Sequence, residues 1–261
     1  MTLWARLRPH VRPLVYRLRS RFLYRVATFY VNAHDNDHDS NFDTNGEARF
    51  AREMLPNSHV VFDVGAAHGL WAGIALAANP AIELHCFEPT ARRFSVLTAG
   101  YAGRATLNQL ALGDVAGDRE IFGGASGGSN SFFPQRYNNE LYASADVERI
   151  HITTIDDYCA THGIDTVDFI KMDIEGYEPA AMRGAERMLR EGRIKVIQFE
   201  YGYVFLDAGT SLMALMKYIH QLNPAYRFFK IYPDGARPVP VYDHTLDNFK
   251  TQNWAIIKTD S

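Results

Sequence analysis

Residues 59–78 constrain this chain more than any other stretch. His59-Val-Val-Phe62 is a short apolar run rich in β-branched residues, suited to a strand buried on both faces. It passes into Asp63-Val-Gly-Ala-Ala-His-Gly69, and Leu70 to Ala78 continues as an alanine-rich helical segment. Strand, glycine turn and helix in that order make the first unit of a doubly wound α/β sheet. Gly65 and Gly69, with Ala66 between them, let the backbone turn tightly and approach a ligand closely. The following helix N-terminus offers free N–H groups to a carboxylate or another polar group.

The second strand, residues 81–87, ends at Glu88-Pro89. An acid at that tip, 19 residues beyond Gly69, is placed to accept hydrogen bonds from ribose hydroxyls, and Pro89 stops the strand there. A nicotinamide dinucleotide would satisfy this much. Its G-x-G-x-x-G fingerprint, however, needs a second glycine where this chain has Ala67. Asp63 at the head of the loop would repel a pyrophosphate but suits the ammonium of an amino-acid moiety. The loop therefore points to S-adenosyl-L-methionine.

A fourth parallel strand is read at residues 168–172, closing at Asp173-Ile-Glu175-Gly176, with a helix from Glu178 to about Arg190. The fifth, residues 194–199, closes at Glu200-Tyr201. Ligands of open α/β sheets sit beyond the carboxyl ends of the strands, so Asp173, Glu175 and Glu200 are the candidate catalytic residues. Methyl transfer from a sulfonium needs an acceptor held in line and a group to take its proton. Asp173 is read as that base, as a group orienting a hydroxyl, or as a partner of Lys171; a divalent metal held by these acids is possible but not expected.

The blocks VVFDVGAAHG, CFEP, Asn108-Gln-Leu-Ala-Leu-Gly-Asp114, Ile152-Thr-Thr-Ile-Asp-Asp-Tyr158 and Asp168-Phe-Ile-Lys-Met-Asp-Ile-Glu-Gly-Tyr-Glu178 together resemble the FkbM family of methyltransferases, over residues 47–258. The resemblance implies a Rossmann-like class I methyltransferase, an α/β fold with a seven-stranded, mostly parallel sheet and an antiparallel last strand. It implies that Asp63, Gly65 and Gly69 contact the methionine end and Glu88 the ribose, with Gln109–Leu112 beside the adenine. The cofactor-binding candidates are thus Asp63, Gly65, Ala66, Gly69, Glu88, Pro89, Ala111 and Leu112. It also implies hydroxyl oxygen as acceptor and a Ser/Gly segment near the active site, here residues 123–131. The family commonly carries Asn at the position of His68.

Two regions stand apart from that pattern. Residues 1–31 carry seven arginines and no Asp or Glu, with Leu7, Val11, Leu14, Val15, Leu18, Phe22, Val26 and Phe29 on one helical face. Pro9 and Pro13 place the start of a continuous helix near Pro13. This head is either an interfacial helix on anionic lipid or a helix packed on its own domain. A polar linker, residues 34–45, follows, so the extension is read as 1–46 and the methyltransferase domain as 47–261. Between Tyr232 and the last strand, Pro238 and Pro240 limit the chain to an edge or a loop.

Beyond the head, 20 basic face 30 acidic residues, a balance of −10 that disfavours a polyanionic substrate such as nucleic acid. No apolar run spans a bilayer, and two cysteines, Cys86 and Cys159, give neither a disulfide framework nor a zinc site. The expectation is a cytoplasmic protein, peripheral at the inner membrane face if the head binds lipid. Its expected partner is a saccharide or other small-molecule acceptor; N-methylation of protein or nucleic acid and a non-catalytic cofactor-binding module are the alternatives.

Overall fold

The computed structural model describes residues 3–123, 130–132 and 147–259. Most of the Ser/Gly segment expected near the active site, residues 124–129, lies outside the described residues. Contacts divide the chain into two compact units, Met1–His38 and Asp39–Ser261.

The smaller unit is two helices, α1 (Leu3–Leu18) and α2 (Arg21–Asp35). Helix α1 runs through both Pro9 and Pro13, so the helix starts earlier than the prolines suggest. The chain breaks instead at Arg19-Ser20, where the Ser20 hydroxyl caps α2 by accepting from the Leu23 N–H at 3.3 Å. Among the described residues no helix is long and apolar enough to cross a membrane.

The larger unit begins with α3 (Glu47–Met54), β1 (Val60–Val64), α4 (Leu70–Ala78), β2 (Glu83–Phe87), α5 (Ala91–Tyr101) and β3 (Thr106–Asn108). A small second sheet follows, built from β4 (Ala111–Leu112), β5 (Gly117–Gly123), β6 (Asn130–Ser131) and β7 (Val147–Thr153) in the order β4-β7-β5-β6. Then come α6 (Ile155–His162), β8 (Val167–Met172), α7 (Glu178–Arg183), α8 (Glu186–Arg190), β9 (Ile194–Tyr201), α9 (Val204–Asp207) and α10 (Leu212–Leu222). The chain closes with β10 (Tyr226–Tyr232), β11 (Gly235–Pro238) and β12 (Gln252–Lys258).

The main sheet runs β11-β10-β12-β9-β8-β1-β2-β3. Strands β3, β2, β1, β8 and β9 are mutually parallel, and β12 inserts antiparallel between β9 and β10. This is the Rossmann-like class I methyltransferase arrangement, with the last strand antiparallel as expected. An eighth strand, β11, joins the edge by pairing antiparallel with β10, where Pro238 costs no ladder bond on the open side. The long helix expected after Glu178 is two short ones. Gly184 lies at the break, and a Cβ there would fall 1.9 Å from the Gly113 carbonyl oxygen, so close packing against the second sheet holds the chain at that point.

Side chains alternate across the sheet and bury both faces. Phe62, Val64, Ile170, Met172, Ile197 and Phe199 face one core, and Val61, Phe169, Val196 and Ala255 face the other with Trp71, Ala72 and Phe50. The chain leaves β1 toward β2 and later returns to β1's other side as β8. That reversal opens a crevice at the carboxyl ends of β1 and β8.

Candidate active site

Two clefts open at this crevice and share Gly65, Ala67 and Asp173 in their walls. The larger in open extent, about 660 Å³ counting the space open to solvent, is bounded by Glu88, Pro89, Ala111, Leu112, Ile121 and Phe132. The smaller, about 460 Å³, is bounded by Asp63, Ala66, His68, Trp71 and Lys171. Ala111 and Leu112 reach the larger cleft from β4, paired with β7 in the second sheet, rather than from the end of β3.

The turn after β1 is tied to the end of β2. The N–H groups of Gly65 and Ala66 donate to the Phe87 carbonyl at 2.9 and 3.0 Å. The Ala67 N–H, on a backbone with φ 47°, donates to Glu88 Oε2 at 3.0 Å. Glu88 is buried, and its Oε1 accepts from the Thr90 N–H at 2.9 Å and the Thr90 hydroxyl at 2.6 Å. A carboxylate has about four acceptor positions, so Oε2 keeps capacity for roughly one further donor. Gly65 has φ +83°, and a Cβ there would lie 2.1 Å from the Asp173 carbonyl oxygen, so the loops after β1 and β8 touch through it. Gly69 lines neither cleft. Its φ is +82°, a Cβ would meet the Tyr101 ring at 2.2 Å, and the Tyr101 hydroxyl donates to its carbonyl at 2.6 Å. Packing of α4 against α5 is what requires glycine there.

Beneath the smaller cleft a polar row crosses the sheet. Asp63 on β1, Lys171 on β8 and Gln198 on β9 occupy paired register positions, all on the face covered by α3 and α4. Glu47 on α3 spans the row from above. Its Oε2 accepts from Gln198 Nε2 at 2.9 Å and lies 3.7 Å from Lys171 Nζ, while Oε1 accepts from Asn45 Nδ2 at 2.9 Å. Lys171 is fully buried and also lies 3.2 Å from Asp173 Oδ2. Burial opposes its charge, but Asp173, Glu47, Asp63 and Glu200 together outweigh that and hold its pKa above the ordinary value. Glu47 and Lys171 were the parts sequence reasoning underweighted: Glu47 was not singled out at all. A lysine one residue from the end of the buried strand Val167–Met172, directly after Phe169 and Ile170, is the available signal.

Asp63 Oδ2 is buried and accepts no hydrogen bond, and burial pushes the carboxyl up to about 7. Lys171 works against that rise; Asp173 and Glu88 add to it. Trp71 Nε1, on α4 in the same cleft wall, is likewise buried without an acceptor. The wall of the smaller cleft thus buries an unmet acceptor and an unmet donor beneath its surface.

Asp173 borders both clefts and Glu175, held at φ 54°, borders the larger one. Glu200 lines neither of the two. It is half-buried at the end of β9, and its carboxyl is raised by burial and by the charges of Asp173 and Glu175. Glu178, fully buried, accepts from the Ile174 N–H at 2.8 Å through Oε1, leaves Oε2 without a partner, and is pushed up to about 8 by burial. Among the described residues no three His, Cys, Asp or Glu side chains converge as a metal site. Cys86 and Cys159 are buried free thiols, both raised by burial, Cys159 to about 12.

This strand order, with its crevice at the carboxyl ends of β1 and β8, is that of a Rossmann-like class I methyltransferase. The model of the methyltransferase FkbM domain matches residues 63–228, and the chain belongs to that family. It is 25% identical over 189 residues to the 2-O-methyltransferase NoeI of Sinorhizobium fredii, covering 68% of this chain and 76% of that protein. It is 28% identical over 167 residues to the 31-O-demethyl-FK506 methyltransferase FkbM of Streptomyces tacrolimicus, covering 53% of this chain and 63% of that one. Among solved structures, a TehB-like SAM-dependent methyltransferase from Corynebacterium glutamicum superposes with a TM-score of 0.42 at 11% identity, over 90% of this chain and 97% of that one.

Proposed function

We propose that this methyltransferase acts on a hydroxyl oxygen of a saccharide or a related polar small molecule. The observation that carries the proposal is Asp173, a carboxylate common to the walls of both clefts and flanked by Glu175. In this reading residues of both clefts would hold S-adenosyl-L-methionine, which would supply an electrophilic methyl group. Asp63 accepts from its ammonium and Trp71 donates to its carboxylate. Gly65 and Ala66 form the turn it lies against, and Glu88 takes a ribose hydroxyl. Pro89, Ala111 and Leu112 border the adenine with Ile121 and Phe132.

Asp173 accepts the acceptor's hydroxyl proton. Lys171 fixes one of its oxygens at 3.2 Å, leaving Oδ1 outside that ion pair. Glu175, in the wall of the larger cleft, offers further carboxylate oxygens, the groups that hold a polyol by its hydroxyls. The same acids disfavour a phosphate-rich acceptor. Both relatives' names specify transfer to oxygen, NoeI at a 2-position and FkbM at a 31-position, which supports oxygen over nitrogen.

Methyl-labelled S-adenosylmethionine incubated with the protein and a lysate from source cells lacking this gene tests the proposal, with saccharide, lipid, protein and nucleic-acid fractions separated afterwards. Base-stable label in a saccharide or glycolipid fraction, lost with Asp173→Asn, is expected. Label confined to protein or RNA would overturn the acceptor.

A further inference from the structure

We propose that the Met1–His38 unit docks on an anionic lipid surface. This stands on observations separate from the active site and holds whatever the acceptor is.

Helix α2 has no buried residue, although it carries Phe22, Leu23, Tyr24, Val26, Phe29 and Tyr30. Phe22 and Phe29 are 73% and 75% exposed. At 100° per residue Phe22, Val26, Phe29 and Ala33 share one face, with Leu23 and Tyr30 beside it and Arg21 and Arg25 at its flank. On α1, Leu7, Leu14, Val15 and Leu18 make a second stripe, each at least 45% exposed, with Arg8, Arg12 and Arg17 around it. Where the two helices meet, Val15, Leu18, Leu23 and Tyr24 line an apolar groove with Arg19 and Arg21 in its wall.

Exposed aromatic side chains next to an apolar stripe describe an element whose natural solvent is not water alone. The charge pattern selects the occupant. The seven arginines meet no carboxylate within the first 34 residues, and Asp35 is engaged by His34 at 2.8 Å. Two copies pressed face to face would bring like charges together. An anionic headgroup layer over acyl chains satisfies both features: phenylalanines enter the acyl boundary, tyrosines sit at the headgroup level, and guanidiniums bind phosphates above them.

The full chain is tested by co-sedimentation with vesicles of phosphatidylcholine alone or with about one third phosphatidylglycerol. Binding to the anionic vesicles only, weakened by high salt, is expected. Each arginine near such a surface contributes roughly fivefold in partitioning, so Arg21→Gln with Arg25→Gln is expected to weaken binding about 25-fold. Phe22→Asp with Phe29→Asp is expected to abolish it. S-adenosylhomocysteine binding by every variant reports that the larger unit is folded. Failure of the parent to bind anionic vesicles, equal binding to neutral ones, or undiminished binding by the phenylalanine variant would each overturn the proposal. So would a dimer in sedimentation velocity that the phenylalanine variant dissolves while the parent ignores vesicles, because a second copy would then own this face.

Discussion

Asp63→Asn separates stability from function at one atom. In the parent without cofactor, Asp63 is buried, its Oδ2 is unpartnered, and its carboxyl is raised from 3.8 to about 7. At about 1.4 kcal/mol per pH unit, ionising it inside the fold costs roughly 4 kcal/mol. The sign follows from linkage: a raised folded pKa means the native state holds the proton more tightly than the unfolded chain, so stability falls as pH rises from 3.8 toward 7. Asparagine imitates the protonated form at every pH. The variant is therefore expected to be more stable than the parent above pH 7, by up to about 4 kcal/mol, with the difference shrinking below pH 7 and vanishing near pH 3.8. Urea unfolding of the cofactor-free protein at several pH values reads this directly. Cofactor affinity moves the other way. Loss of one charge-assisted hydrogen bond, about 2 kcal/mol, raises the S-adenosylhomocysteine Kd roughly 30-fold by calorimetry. A variant that is less stable than the parent above pH 7, or that binds as tightly, would refute the reasoning.

Three further outcomes are expected. Gly65→Ala adds a Cβ 2.1 Å from the Asp173 carbonyl at a φ of +83°, so the variant loses at least about 2 kcal/mol in denaturant unfolding and binds S-adenosylhomocysteine poorly. Glu88→Ala strips acceptors from Ala67 and Thr90 as well as from the ribose, and is expected to weaken S-adenosylhomocysteine binding at least tenfold, on the order of one charge-assisted bond. An unchanged Kd would remove Glu88 from the cofactor site. Asp173→Asn is expected to lower kcat about 100-fold or more with the true acceptor, while the Kd for S-adenosylhomocysteine moves little; full turnover in that variant and in Glu175→Gln would exclude both carboxylates as the base.

The parts of the molecule that were legible in the sequence are the ones set by neighbours along the chain. An apolar run, a glycine turn and an acid at the next strand's tip announce β1, the loop after it and Glu88. The repeat of strand and acid announces Asp173 and Glu200. What was not legible depends on distant partners. The polar row exists because Asp63, Lys171 and Gln198 fall into register across three strands, and because Glu47, far away in sequence, is carried over them on α3. The contact that an added side chain at Gly69 would make with the Tyr101 ring on the next helix was likewise not legible. The second sheet stayed hidden for a similar reason: β4 has two residues, and its partner β7 lies some 40 positions on.

Glu47 also decides where the molecule can be cut. The segment shared with the family, residues 63–228, begins after α3 and β1's first residues and ends inside β10. It omits β12, the strand joining β9 to β10, and it omits the carboxylate that bridges Lys171 and Gln198. A fragment trimmed to those limits would leave a buried ammonium short of a counter-charge and β9 as an open edge, stripped of β12, β11 and most of β10. The compact unit Asp39–Ser261 contains Asn45, Glu47 and β12, so the body that buries Lys171 is larger than the stretch the family shares.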